Sequence, residues 1–473
     1  ITRKLDSRWI KSIRRWTIFS WLFLTLGNIY GAKWAYVELG WGGYWAWDPV
    51  ENSSFMPWLT GTAFLHSIMI QERRGMLKVW NMILIITTFL LTIFGTFLTR
   101  SGVLSSVHSF AESNLGPLFV GFIILTAFVS ITILISRLDS LKSETQLHAV
   151  LSRESTFLFN NLILVGSAFS VFWGTIFPLI SEAVRGVKVT VGPPFFNQIN
   201  IPIGLTLLLL TGICPLIAWR KATFTNFRKN FLYPLTMGVV SGAILFVLGI
   251  RSIYPLLSFS IAIFVFSTII LEFIKGSLAR RRVSGESLIR ALINLINKNK
   301  RRYGGYIIHL GIILIFVGIT GSAFNTEKQV FLKDGENTTI KDYELTYKEF
   351  KMESDPEKFS AAAVLSVKKK GKYLGDLQPE KRFHRNQEQP HTEVAIRSTL
   401  KEDLYIILAG YDKDKNVSLK IFVNPLVQLL WLGTTVIVIG TIIAVLPDKR
   451  LFEKEKVKLR RKRIPKREKE RIN

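Results

Sequence analysis

The chain contains about ten apolar segments, which constrain its fold more than any other feature of the sequence. Each is roughly 20 residues long with almost no charge, which is enough to cross a hydrocarbon core of ~30 Å at 1.5 Å per residue. A soluble core would instead distribute its apolar residues at helical period. We therefore predict an all-α polytopic membrane protein with about ten transmembrane helices, near residues 16–37, 55–71, 79–99, 117–137, 156–181, 200–219, 231–250, 253–275, 304–324 and 425–446.

Basic residues mark alternate connections between the predicted spans. Examples are Arg14 and Arg15 before the first span, Arg73 and Arg74 after the second, and the tail from residue 449 to residue 471. If the helices alternate regularly, these clusters share one side of the membrane, which the positive-inside rule identifies as the cytoplasm. The formal net charge of +27 then reflects contact with anionic membrane lipid, and no nucleic-acid partner is needed to explain it.

One polar region, residues 325–424, interrupts the apolar pattern. Alternating runs such as 329–333 and 404–408 are separated by turn-rich pieces, so we predict a small exported all-β domain that binds or positions a partner. Residues 1–324 then form the transmembrane helical core, residues 425–447 the final span and residues 448–473 a basic cytoplasmic tail. The single cysteine, Cys214, excludes a disulfide framework, a CxxC pair and a CxxCH haem-attachment site.

A tryptophan-rich segment at residues 38–59 leads into the second predicted span. Its aromatic and glycine residues include Trp41, Gly42, Gly43, Tyr44, Trp45, Trp47 and Trp58. An interfacial aromatic belt is one interpretation, but belt residues are usually spaced along helix ends rather than gathered around glycines. Asp48 can cap a helix that starts at Pro49, with Glu51 completing a capping box. Ring faces beside a helix N-terminus suit a flat apolar ligand with anionic edges, such as haem.

Three of the six histidines are candidate metal ligands. His66 and His309 lie in different predicted spans, ~9 Å and ~10 Å from the cytoplasmic face by helical rise, so both rings could approach one iron. His108 lies in the outward loop after the third span, on the same side as the tryptophan-rich segment, and could offer an axial nitrogen there. The remaining histidines, His148, His384 and His391, are expected to be surface residues.

The segment from Trp41 to Leu59 closely resembles the tryptophan-rich signature of the CcmF family of cytochrome c haem lyases. Residues 64–67 and 98–110 follow in the family's order. The resemblance implies that His108 ligates the haem to be transferred, and that His66 and His309 hold a permanent b-type haem. It also implies a second outward histidine upstream of the signature, and the sequence has none there. We expect either that the chain lacks its first helices or that the site is built differently.

The resemblance further implies the reaction and the partners. Haem delivered by an exported haem chaperone would form thioether bonds with the CxxCH cysteines of apocytochrome c, beside thiol-reducing maturation proteins. We expect this chain to lie in a bacterial or archaeal plasma (inner) membrane, with the tryptophan-rich segment and the β domain outside. The residues that this resemblance places at the transfer reaction are His108, Trp41, Trp45, Trp47 and Asp48.

Two other functions stay open. A multi-span transporter is compatible with ten spans, but these spans carry almost no acidic or basic residue at depth, where ion-coupled carriers tend to place them. A b-type cytochrome that transfers electrons would use the histidine pair, but it would leave the tryptophan-rich segment without a function.

Overall fold

The structure is a computed structural model that describes residues 7–104, 106, 114–143, 153–216, 224–385 and 390–447. Within these ranges the chain forms a helical bundle and a β-sandwich. The helices are α1 Ser7–Glu38, α2 Pro49–Arg74, α3 Lys78–Ser101, α4 Gly116–Ile135, α5 Arg153–Arg185, α6 Pro193–Leu216, α7 Phe224–Val247, α8 Ile253–Ser284, α9 Leu288–Lys298, α10 Lys300–Gly321 and α11 Gln428–Val445. Short 3-10 turns follow α4 and α10.

Eight of the described helices are long and apolar enough to cross a membrane: α3 to α8, α10 and α11. The helices α1 and α2 fall outside this set, although both are long enough at 32 and 26 residues. Their lower hydropathy has a physical reason, because polar side chains such as Asn28, Thr62 and His66 face an internal cavity rather than lipid. The prediction of a polytopic helical protein with a β domain is confirmed. The predicted number of about ten spans is approximate, and eight of the described helices are long and apolar enough to be spans.

The β domain is a sandwich of two antiparallel sheets inserted between α10 and α11. Its strands are β1 Thr326–Leu332, β2 Asn337–Ile340, β3 Tyr343–Ser354, β4 Lys358–Lys369, β5 Lys372–Leu377, β6 Glu380–His384, β7 His391–Glu393, β8 Ala395–Ser398, β9 Glu402–Tyr411 and β10 Val417–Pro425. One sheet has the order β1-β10-β9-β8, and the other β2-β3-β4-β6-β7, with β5 also paired to β4. Alternating apolar residues from both sheets, among them Leu345, Leu365, Ile406 and Leu419, bury their side chains in the core between them.

Glycines bring α10 and α11 into backbone contact. A Cβ on Gly311 would lie 2.5 Å from the carbonyl oxygen of Gly433, and one on Gly440 would lie 2.7 Å from the backbone nitrogen of Ile308. Small residues at heptad spacing allow such close approach between membrane helices. The two helices that flank the sandwich are therefore held together along their length, and α10 carries His309.

The helices have two distinguishable ends. The sandwich end contains the start of α2, the end of α10 and the β domain. The basic end contains Arg14, Arg73 and the start of α10 at Lys300. The amphipathic helix α9 also lies at the basic end, with the apolar Ile289 and Ile293 exposed, as expected for a helix at a membrane interface.

Candidate functional site

A cavity of about 2300 Å³ runs through the helical bundle. Helices α1, α2, α5, α6 and α10 supply most of its walls. At the sandwich end it is lined by Tyr44, Trp45 and Trp47, and at the basic end by Arg15 and Arg301. The tryptophan-rich segment and the histidine pair therefore border one continuous space.

His66 on α2 and His309 on α10 face each other across this cavity. Their ring centroids are 6.4 Å apart and their planes are inclined by 18°. Two bonds of about 2 Å from imidazole nitrogens to one metal, together with the ring radii, place two axial imidazole centroids roughly 6 Å apart. The geometry therefore fits one iron between the two rings.

The hydrogen bonding of the two rings also fits an axial ligand pair. His66 Nδ1 lies 2.8 Å from the carbonyl oxygen of Thr62. A carbonyl oxygen can only accept, so Nδ1 carries the proton and leaves Nε2 of the neutral ring with its lone pair available. Within the described chain, His309 Nδ1 is buried and has no hydrogen-bond partner. Buried polar atoms of this kind are usually satisfied by a ligand, water or ion. The centroid spacing of the rings and the tautomer of His66 are what suit this pair to a haem iron.

The tryptophan-rich segment ends at a capped helix. Asp48 Oδ2 accepts from the backbone N–H of Val50 at 3.0 Å, and Glu51 Oε2 accepts from the N–H groups of Ala46 and Asp48 at 3.0 and 3.1 Å. These are the interactions of the predicted capping box, which is confirmed. Trp47 has a left-handed φ of 57°, and its carbonyl oxygen accepts from Asn52 Nδ2 at 3.1 Å. The carboxylates thus hold the loop that presents Trp45 and Trp47.

Aromatic rings continue from this loop along the cavity wall. Trp47 stacks on Phe196 of α6 with centroids 5.0 Å apart, and its Nε1 donates to Asn197 Oδ1 at 2.8 Å. Phe55 stacks on Trp58 at 5.7 Å, and Trp58 Nε1 donates to Thr25 Oγ1 at 2.8 Å. Sequence reasoning missed Phe196 and Asn197. They lie two and three residues after Pro194, and the proline pair at the start of α6 is the signal that could have indicated a second helix N-terminus at this site.

Not every residue of the segment faces the cavity. Gly43, Tyr44, Trp45, Trp47 and Trp58 line it, whereas Trp41 and Gly42 do not. Gly42 is instead buried against the sandwich, and its carbonyl oxygen accepts from Asn424 Nδ2 at 3.0 Å. This contact joins the segment to β10.

A buried polar cluster extends the same junction. Asp403 of β9 accepts from Gln428 Nε2 at 3.0 and 3.1 Å and from the hydroxyl of Tyr36 at 3.2 Å. Asn424 Nδ2 also donates to the Tyr36 hydroxyl at 3.2 Å. Burial raises the pKa of the Asp403 carboxyl above its usual value. The cluster fixes α1, α11 and the tryptophan-rich segment against one face of the sandwich.

We expect Gly42→Ala to break this junction while Gly43→Ala leaves it intact. Gly42 has a φ of +78°, and a Cβ there would lie 2.6 Å from the ring of Phe422, whereas a Cβ on Gly43 would meet nothing within 4 Å. Backbone strain and overlap together should cost about 2–3 kcal/mol. Limited proteolysis of the purified variants should show faster cleavage near residue 42 only for Gly42→Ala. Equal cleavage of the two variants would contradict the assignment.

His108 and His148 lie outside the described residues. The nearest described residue before His108 is Ser106, whose Oγ donates to Asp48 Oδ2 at 2.6 Å. The chain that leads to His108 is thus attached to the helix cap of the tryptophan-rich segment. His384 is half-buried and His391 exposed, both in the sandwich, with ring centroids 5.3 Å apart.

A membrane helix bundle with a facing histidine pair and a tryptophan-rich loop beneath a β-sandwich is the arrangement of a cytochrome c assembly protein. Residues 2–105 match the family model described as cytochrome C assembly protein. Residues 323–425 match the model described as CcmF C-terminal beta-sandwich. The two matches cover the tryptophan-rich segment and the sandwich, respectively.

Comparisons over nearly the whole of this chain point to the same family. The chain is 34% identical to cytochrome c-type biogenesis protein CcmF of Haemophilus influenzae, over 96% of this chain and 69% of that protein. It is also 34% identical to CcmF of Pseudomonas aeruginosa, over 97% and 68%. A solved structure of cytochrome c haem lyase CcmF superposes with a TM-score of 0.76 at 30% identity, covering 93% of this chain and 67% of that one. The chain belongs to the CcmF family of cytochrome c biogenesis proteins, and it spans about two thirds of the length of these relatives.

Proposed function

We propose that the protein is a haem lyase that attaches haem to apocytochrome c at the sandwich end of its helices. The observation that carries this proposal is the arrangement of two haem-compatible sets of residues along one cavity. The facing rings of His66 and His309 lie toward one end, and the tryptophan-rich loop lies at the other. A protein that only transferred electrons through one haem would need the first set alone.

The tryptophan-rich loop is the proposed site for the haem that is transferred. Trp45 and Trp47 are held edge to face, with centroids 5.8 Å apart, and both border the cavity. Aromatic faces favour a flat, polarizable substrate, and Gly43 lets the backbone approach it closely. His108 supplies an axial nitrogen to the substrate iron, and Asp48 positions the preceding chain through Ser106. Trp41 supports the loop from outside the cavity.

The reaction is the addition of two substrate thiols to the two vinyl groups of haem. Each cysteine sulfur forms a bond to one vinyl carbon and its proton ends on the other, so the addition needs no net oxidant. The chain's own cysteine, Cys214, lies within α6, so both sulfurs come from apocytochrome c. The protein contributes orientation, which is the main effect available when the reacting groups belong to the substrates.

His66 and His309 are the residues that would hold a resident b-type haem. When bound, such a group supplies one-electron chemistry that can keep the substrate iron reduced. The chain's contribution is to fix the tautomer of His66 through Thr62 and to hold both rings against the wall of one cavity.

The proposed topology places the sandwich end outside a bacterial plasma membrane. The arginines and lysines of the basic end then face the cytoplasm, as the positive-inside rule requires. A haem chaperone, apocytochrome c and thiol-reducing maturation proteins would all meet the protein on the sandwich side. The junction with Gly42 puts the sandwich next to the tryptophan-rich loop, and this proximity supports a role for the sandwich in positioning those partners.

The test of this proposal is His108→Ala. Loss of the substrate's axial ligand should reduce cytochrome c maturation at least about 100-fold, since even second-shell partners of metal ligands contribute ~10–100-fold. The absorbance of the resident haem should stay unchanged. Covalent haem on a reporter cytochrome, detected by haem staining after denaturing electrophoresis, measures the first effect. His391→Ala in the sandwich is the control.

A b-type electron-transfer protein is the second candidate, favoured by the histidine pair alone. It predicts that His108→Ala has no effect on the protein's main activity. Normal maturation in that variant would therefore favour the electron-transfer function over the lyase.

A further inference from the structure

The cavity has a strongly basic mouth at the end opposite the sandwich. Among the residues that the structure describes, the basic side chains that line the cavity are Arg14, Arg15, Arg73, Lys298, Lys300, Arg301 and Arg302. Only two carboxylates, Glu72 and Glu272, line it with them. This excess of positive charge beside an apolar cavity favours an anionic group on whatever enters.

The two internal carboxylates cannot pair with every donor of the arginines that contact them. Glu72 accepts from both Arg14 and Arg301, and Glu272 accepts from Arg302. Each guanidinium carries five N–H donors, so one shared carboxylate cannot satisfy two arginines. Arg15 is exposed and takes no part in the ion pairs formed between described residues at this mouth. The mouth can therefore accommodate further carboxylate oxygens.

The mouth lies close to the histidine pair. Glu72 follows His66 by six residues on α2, which is ~9 Å by helical rise, and Arg302 precedes His309 by seven residues on α10, which is ~10 Å. In the other direction the cavity wall carries Trp21, Trp58 and Leu208, and no basic side chain among the described residues. A ligand held between the two rings thus finds cationic partners on one side only.

We infer that the basic mouth is a recognition site for the two carboxylates of the haem held by His66 and His309. This inference rests on the proposed function of that pair. Arg15 and Lys298 are the residues most suited to bind these carboxylates, because neither shares the Glu72 carboxylate that links α1, α2 and α10. A lipid phosphate has the same charge chemistry and is the competing occupant.

The test compares haem with its dimethyl ester, which lacks the two negative charges. The full-length protein, stripped of haem and placed in phosphatidylcholine nanodiscs, is titrated with each compound while the Soret band is followed. Charge-assisted hydrogen bonds should make binding of haem about tenfold to 100-fold tighter than binding of the ester. The double variant Arg15→Gln with Lys298→Gln should lower this preference about tenfold without weakening ester binding. Arg282→Gln, exposed on α8 at the same end, should preserve it.

The outcomes separate this inference from the proposed function. Equal affinities of the unmodified protein for haem and ester would overturn the carboxylate site while leaving the histidine assignment intact. Failure to bind either compound in low-spin form would instead contradict the proposed histidine pair. A preference that disappears in phosphatidylglycerol nanodiscs would also overturn the inference, because the mouth would then hold lipid phosphate.

Discussion

Alanine in place of His66 or of His309 should abolish the low-spin b-type absorbance that the proposed resident haem gives the purified protein. The two rings face each other with centroids 6.4 Å apart, so each single change removes one of the two proposed haem ligands. Haem affinity should fall more than about 100-fold, because even second-shell partners of metal ligands contribute ~10–100-fold. The pyridine haemochrome assay measures the haem content, and the visible spectrum reports the spin state.

The control for this prediction is His384→Ala. His384 lies in the sandwich, far along the chain from both rings, and its replacement should leave haem content and spectrum unchanged. An unaltered low-spin spectrum in either His66→Ala or His309→Ala would remove that histidine from the proposed ligand pair. A change in both variants without a change in the control would support the pair specifically.

Gly311→Ala will destabilise the helical core, whereas Gly305→Ala on the same helix will not. A Cβ on Gly311 would lie 2.5 Å from the Gly433 carbonyl oxygen, but one on Gly305 would meet nothing within 4 Å. Forcing α10 and α11 apart should cost ~3 kcal/mol. Gly305→Ala should instead stabilise the helix slightly, by about 0.5–1 kcal/mol. Thermal unfolding in detergent, followed by tryptophan fluorescence, measures the difference.

The same glycine variant should also disturb the histidine pair. Gly311 follows His309 by two residues, so a displaced α10 moves that ring relative to His66. We expect partial loss of low-spin absorbance in Gly311→Ala at temperatures where the protein stays folded. If Gly311→Ala and Gly305→Ala unfold at the same temperature, the close contact of α10 with α11 does not limit stability.

The sequence was sufficient for features that depend on local chemistry. The apolar segments predicted the membrane helices, because span length is set by bilayer thickness. The capping box of Asp48 and Glu51 was predictable because its atoms lie within a few residues of one another. Equal depth in two helices also suggested that His66 and His309 belong together, although only the structure shows their rings facing each other.

Features that join distant parts of the chain were not predictable. Nothing in the tryptophan-rich segment indicates that Gly42 packs against Phe422, or that the Tyr36 hydroxyl reaches Asp403. Such contacts depend on how the helices and sheets pack together. Hydrophobic periodicity and secondary-structure propensity do not specify that packing. In the sequence, the basic residues of the mouth indicated only the orientation of the helices in the membrane. Their proximity to the histidine pair was not predictable, because it depends on the packing of three helices around Glu72.

The close pairing of the strands that begin and end the sandwich has an evolutionary consequence. Thr326 and Val423 are register partners in β1 and β10, so the domain leaves and rejoins the membrane bundle at neighbouring points. Domains attached in this way tolerate insertion and exchange because their termini lie side by side. A sandwich can therefore be inserted or exchanged at this position without rethreading a helix, as long as its contacts with Gly42 and Tyr36 are kept.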